Sequence, residues 1–212
     1  KMLNKLFLSA AFISFAVGAH AQNAVDSNTE AYTFTNPACD FEVDLPEPFY
    51  EKQLCQDNTG LQCTDKANFT KEIEGGALFV DLLCVPMPEG YYDFYNKEAI
   101  AAFTSRMFEE KGIDPSNAEF SYLDDPETKI KNSTAIVQSQ AGLYPALNIA
   151  QFWVSPNSML STEVKIINGL GNEKLNEMSG KIIQSTRTKA SYVPPQDKEA
   201  LISPPATLPQ AE

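Results

Sequence analysis

Asn68-Phe-Thr-Lys-Glu-Ile-Glu-Gly-Gly-Ala-Leu-Phe-Val-Asp-Leu-Leu-Cys-Val85 is the stretch whose reading decides the fold. Glu74-Gly75-Gly76 interrupts two β-rich runs at a point where a tight two-residue turn needs positive φ, so residues 68–73 and 77–85 read as a β-hairpin. The second run is apolar on both faces except for Asp81, which predicts a central strand covered on both sides. Upstream, Phe41-Glu-Val-Asp-Leu45 alternates strictly and stops at Pro46, the pattern of a strand with one buried and one wet face. Residues 31–35 and 50–54 are shorter candidates. Downstream, residues 134–141, 147–154 and 159–167 read as three further strands, with 119–123 as a fourth ahead of them.

Two helices complete the pattern. One is expected over residues 97–111, between Asn96 as N-cap and Gly112 as stop, with Ile100, Phe103, Met107 and Phe108 as its buried stripe. The other spans residues 172–185, with Leu175, Met178 and Ile182 on one face. Strands, a helix, strands again and a helix argue an α+β, sandwich-like fold: an antiparallel sheet of about six to eight strands with two main helices.

The flanks bound where the chain works. Lys1 and Lys5 flank an apolar run from Leu6 to Val17 that ends in Ala19-His20-Ala21, so residues 1–21 read as a signal peptide. A run this short does not span a bilayer, which needs about 20 residues. Residues 22–30 read as a flexible leader and 31–189 as one domain. Residues 190–212 read as a disordered tail, since they carry five prolines and no hydrophobic period. The expected location is periplasmic or secreted.

Charge and composition exclude several functions. Sixteen Lys and Arg face 28 Asp and Glu, a net charge of −12. Loss of Lys1 and Lys5 with the leader would deepen the negative charge. It would also remove His20, the only histidine, and with it any imidazole-based triad or metal ligand. Past the leader, arginine occurs only at 106 and 187, which argues against nucleic acid. No cofactor is expected, and acidity favours a cationic partner through steering. Cys39, Cys55, Cys63 and Cys84 lack a Cys-x-x-Cys pair and read as two disulfides. If strands 41–45, 50–54, 68–73 and 77–85 run as an up-down meander, all four cysteines fall at one end. Cys55 then pairs with Cys63 across a short loop, and Cys39 with Cys84.

Four constellations carry candidate chemistry. Asp40, Glu42 and Asp44 share a strand face at spacings of about 6–7 Å. Such a row could hold Ca²⁺, but no Asp-x-Asp-x-Asp-Gly loop accompanies it, and a solvated face is the simpler reading. Asp81 lies among apolar residues, where burial would raise its pKa as a general acid or base requires. Glu163 is its candidate second carboxylate, and Gln138 and Gln151 could complete a polar pocket. Ser133 with Lys131, and Ser179 with Lys181, are nucleophile-base pairs without a supporting motif. Finally, Tyr91-Tyr92-Asp93-Phe94-Tyr95 places four aromatics in five residues just before a helix, suited to a ligand or a protein partner. Asn68-Phe-Thr and Asn132-Ser-Thr fit the glycosylation triplet, which a bacterial leader would leave unused.

The Phe41–Pro46 strand, the order of sheet and helices, and Met178-Ser-Gly-Lys-Ile-Ile-Gln-Ser-Thr186 resemble the PsbP-like fold, in which a final amphipathic helix runs into an Ile-x-Ser segment. Asn148-Ile-Ala-Gln-Phe-Trp-Val154 and Ser161-Thr-Glu-Val164 also resemble small exported alphaproteobacterial proteins of undescribed function. The resemblance implies a fold and no particular activity. Together these features describe an exported, disulfide-stabilised acidic binding or accessory module of the bacterial envelope. The competing class is a His-free hydrolase or isomerase using Asp81.

Overall fold

The computed structural model describes residues 32–55, 63–169 and 171–195. The expected leader and most of the expected tail lie outside the described residues. Ten strands and two α-helices follow in the order β1 (Tyr32–Thr35), β2 (Phe41–Leu45), β3 (Tyr50–Cys55), β4 (Cys63–Ile73), β5 (Gly76–Pro86), α1 (Lys97–Glu110), β6 (Glu119–Asp125), β7 (Ile130–Ala141), β8 (Tyr144–Val154), β9 (Ser158–Ile167), α2 (Glu173–Ser185) and β10 (Arg187–Thr188). They form an antiparallel seven-stranded sheet, β3-β4-β5-β9-β8-β7-β6, and a three-stranded sheet, β1-β2-β10. The fold is α+β and sandwich-like.

The hairpin that opens the reading is present. Glu74 (φ 53°) and Gly75 (φ 80°) occupy the two left-handed turn positions, and Ile73 faces Gly76 across them. The main core lies between the two sheets. Phe34, Phe41, Val43 and Leu45 from the small sheet meet Leu78, Val80, Leu82, Leu160 and Ile166 from the large one, with Leu175 and Ile182 of α2 closing the side. A second core lies on the opposite face of the large sheet, where Ile100 and Phe108 of α1 cover Ala135, Val137, Ala150 and Phe152.

Three expectations are corrected. β2 does not join the meander of β3, β4 and β5; it lies in the other sheet, between β1 and β10. The Cys39–Cys84 disulfide therefore links the two sheets, with Cα atoms 6.0 Å apart. The backbone register sets Cys55 opposite Cys63, whose side chains lie outside the described residues. β5 is not covered on both faces: Gly76, Leu78, Val80, Leu82 and Cys84 are buried, whereas Phe79 is 37% exposed and Asp81 partly so. The cause is the reach of α1, whose contacts are with β7 and β8 and which ends before covering the β3–β5 half of the sheet. On α1 itself Thr104 is buried and Phe103 exposed, so the buried stripe is rotated from the one expected. Thr104 tolerates burial because its hydroxyl donates to the Ile100 carbonyl at 2.8 Å.

The C-terminal edge is held electrostatically. Arg187 contacts Glu42 at 2.7 Å and Asp44 at 2.6 Å, tying β10 to β2. The hydrogen bond from the Arg187 guanidinium, reinforced by one from the Thr33 hydroxyl, holds the Asp44 carboxyl below the usual carboxylate range against its partial burial. A carboxyl lowered in this way stabilises the fold above its unfolded pKa of about 3.9, and the contribution disappears as pH falls through the lower folded value. Arg187→Ala is expected to cost about 1 kcal/mol or less at pH 7, because both groups are partly solvated. At a pH below the folded value it should cost nothing. Urea unfolding at the two pH values checks this, and an equal loss at both would show that the pair does not titrate with folding.

Past β10 the chain stays packed: Lys189 N–H donates to Asp40 O at 2.8 Å, and the Tyr192 hydroxyl donates to Thr128 O at 2.8 Å.

Candidate functional site

The aromatic segment divides its side chains between inside and outside. Backbone bonds from Phe94 to Tyr91 and from Tyr95 to Tyr92, both 3.1 Å, wind residues 92–94 into a single 3₁₀ turn. The Asn96 side chain then caps α1 by accepting from Ala99 N–H at 2.8 Å. Beneath the turn, buried Lys131 donates to the Tyr92 carbonyl at 3.0 Å, and its ammonium sits 3.9 Å from the Tyr92 ring centroid. Burial, with the nearby Asp124 carboxylate, pushes the Tyr92 hydroxyl pKa up. Tyr92 and Tyr95 pack into the second core. Tyr91 and Phe94 remain 54% and 69% exposed, with ring centroids 5.7 Å apart. With Tyr95, Ala99 and Phe103 they line an open concavity of about 520 Å³. Phe103 is 45% exposed, and its ring meets Phe152 edge-on at 5.2 Å.

Helical spacing predicts Phe103 in the buried stripe, whereas the structure places it on this surface. The available signal was Thr104, which continues the i, i+4 spacing from Ile100 to Phe108 and can be buried there by bonding its hydroxyl back to the Ile100 carbonyl.

The carboxylates meet at a different place. In the β4–β5–β9–β8 register, Asn68, Asp81, Glu163 and Ala150 stand in one row across the sheet, on the α1 face. Asp81 and Glu163 are thus directly opposed neighbours. Each has partners: Asp81 accepts from the Asn68 amide and lies 3.5 Å from the Lys66 ammonium, and Glu163 is paired with Lys111. Asp81 is nearly half exposed, so the burial on which its expected acid-base role rested is not present. The Gln138 and Gln151 part of the expected pocket does not form. Both lie on the opposite face, Gln138 exposed and Gln151 buried beside Thr162, because neighbouring positions on a strand point to opposite sides.

The remaining candidates are occupied by structural contacts. Arg187 spans Glu42 and Asp44, while Asp40 accepts from Ser155 Oγ at 2.6 Å and Asn157 Nδ2 at 3.1 Å. Among the described residues no group of three or more His, Cys, Asp or Glu is arranged to hold a metal ion. The Ser133 hydroxyl is fully buried without a hydrogen-bond partner, while the Lys131 ammonium is engaged by Tyr92. Ser179 donates to Asn176 O at 2.9 Å and Lys181 pairs with Glu177 at 2.7 Å, so neither Ser-Lys pair is assembled.

The architecture, an antiparallel sheet with α1 over part of one face and the small sheet and α2 against the other, is PsbP-like. The solution structure of cyanobacterial PsbP (CyanoP) from Synechocystis sp. PCC 6803 is similar to this chain with a TM-score of 0.50, at 8% sequence identity, over 82% of this chain and 99% of that one. A crystal structure from Bacteroides thetaiotaomicron VPI-5482 gives a TM-score of 0.36 at 13% identity, over 75% of this chain and 48% of that one. No family model and no curated protein matches the sequence.

Proposed function

We propose that this chain is an exported, disulfide-stabilised binding or accessory module of the bacterial envelope, acting in the periplasm or outside the cell. Its partner surface is the one formed by Tyr91, Phe94 and Phe103, with Tyr92 and Tyr95 as its foundation and Asp93 as its charge. The observation that carries the reading is the division of the aromatic segment. Two rings pack inward, Tyr92 over Lys131 and Tyr95 against the second core, and two are presented to solvent on a short capped turn, so little side-chain or loop entropy remains to be lost on binding. The excess of acidic residues favours a cationic partner. The buried disulfide suits an oxidising compartment, and among the described residues no helix is long and apolar enough to cross a membrane.

Tyr91→Ala and Phe94→Ala are expected to weaken partner binding by about 1–3 kcal/mol each, as aromatic hot spots do. The unfolding midpoint should hardly move, because neither ring is buried. Affinity capture from the native periplasm with the tagged chain and the double variant compares the two directly. A partner retained equally by both would remove this surface from the reading. A drop in stability with no change in capture would make the rings structural.

The direct opposition of Asp81 and Glu163 favours a second reading, a carboxylate-dependent hydrolase or isomerase. A hydrolytic activity of the purified chain lost in Asp81→Asn would establish it.

A further inference from the structure

The chain is acidic, yet three of its lysines converge on one place. Lys111 and Lys165 line a cavity of about 340 Å³ beneath the end of α1, and Lys66 stands beside it on β4, paired with Asp81. Burial lowers the pKa of Lys111, nearby Asp81 opposes that, and Lys66 and Lys165 each add to the lowering.

The cavity follows from how α1 stops. Gly112 takes a left-handed φ of 71°, and the amides of Gly112 and Ile113 return to the carbonyls of Glu109 and Phe108, both at 2.9 Å. This paired return brings Ile113 back onto Phe108 and makes an apolar wall at the helix end. Across from it Phe79 lies on an interior strand yet is 37% exposed, and the register sets it directly opposite Lys165, which in turn faces Asn148.

The charges do not cancel. Asp81 is matched by Lys66 and Glu163 by Lys111, which leaves Lys165 with no carboxylate partner among the described residues. One unmatched ammonium therefore adjoins an apolar wall with an uncovered ring. We propose that this cavity binds a small organic monocarboxylate with an aromatic or aliphatic body, the carboxylate on Lys165 and the body against Phe79, Phe108 and Ile113. The volume falls at the small end of ligand pockets, which span about 300–1,000 Å³. The overall negative charge does not prevent this, since salt confines such fields to about 8 Å at physiological ionic strength.

Amide-shift titration of the full chain with phenylacetate, phenylacetamide and acetate tests the site. Phenylacetate should bind saturably, with its largest shifts at Phe79, Ile113, Asn148 and Lys165. Phenylacetamide, which lacks the charge, and acetate, which lacks the body, should each bind at least about tenfold more weakly, the size of one charge-assisted contact or one buried ring. Lys165→Gln should weaken phenylacetate by about tenfold and abolish the difference between acid and amide. Lys165→Arg should retain the difference, and Lys97→Gln at the far end of α1 should leave the titration unchanged. Equal binding of acid and amide, equal binding of acetate and phenylacetate, shifts centred on the Tyr91–Phe103 concavity, or no saturable binding would each overturn the proposal.

Discussion

Replacing Cys39 and Cys84 together by alanine should lower the free energy of unfolding by about 4 kcal/mol, the loop entropy released when a ring of this size is opened. The bridge spans 45 residues of sequence and cross-links the small sheet to the large one. Both cysteines are almost fully buried, so alanine adds a small cavity on top of the entropic effect, while serine would bury an unpaired hydroxyl and confuse the result. Denaturant unfolding of the wild-type chain with and without reductant gives the comparison free of any substitution. Both the double alanine variant and the reduced wild type should lie well below the oxidised protein, the reduced chain no higher than the variant because reductant would also open a Cys55–Cys63 bridge. A loss under about 1 kcal/mol in both would mean that the unfolded chain is already held compact, so that the bridge removes little freedom from it.

Phe41→Ala is expected to cost about 3–5 kcal/mol, as truncation of a fully buried phenylalanine does. Phe41 has no accessible surface, opens β2 and places its ring 5.9 Å from that of Trp153 across the gap between the sheets. Its cavity cannot collapse easily, because β2 is fixed on one edge by β1 and on the other by β10. The contrast with Phe94→Ala is the informative measurement: the same chemical change on an exposed ring should leave the midpoint within about 0.5 kcal/mol. Equal effects at the two positions would contradict the division of aromatics between core and surface.

Much of the strand and helix content could be read from local signals. Glu74-Gly75-Gly76 marked the hairpin, alternation marked β2, and Asn96 marked the start of α1, where its side chain does accept from Ala99 N–H; Asn172, read as the first residue of α2, is in fact its N-cap and accepts from Leu175 N–H. These signals depend on chemistry within a few residues, which is why they were visible. Pairing was less visible. Nothing local in Phe41–Leu45 says that its neighbours are Tyr32–Thr35 and Arg187–Thr188 instead of the next strand along. The face covered by α1 depends on how far that helix reaches across the sheet, so an apolar run such as Leu78–Val85 read as doubly buried when only one face is.

The same limit applies to the sites. Asp81 and Glu163 could be named as a pair, but their opposition, and the placement of Gln151 on the other side, follow from a register set by strands that are distant in sequence. Lys165 was not read from the sequence, although Glu163-Val164-Lys165 puts two opposite charges on one face of an inner strand. Phe103 shows the opposite difficulty, since an apolar residue at helical spacing reads as core until a neighbouring threonine is seen to take its place.

The position of β10 bears on when the molecule can fold. β2 receives one of its two neighbours from residues 187–188, and β5, in the interior of the large sheet, pairs with β9 about eighty residues later. No early segment of the chain can complete either sheet by itself. Contacts between such distant segments make folding slow, because the closing of long loops precedes the reward. During synthesis the first half would emerge as a β-rich chain with open edges and remain unfinished until nearly all of the domain is available. On the proposal that the chain is exported, such a delay would keep it threadable during transfer, and the Cys39–Cys84 bridge would form on the side where the last strand arrives to close the small sheet.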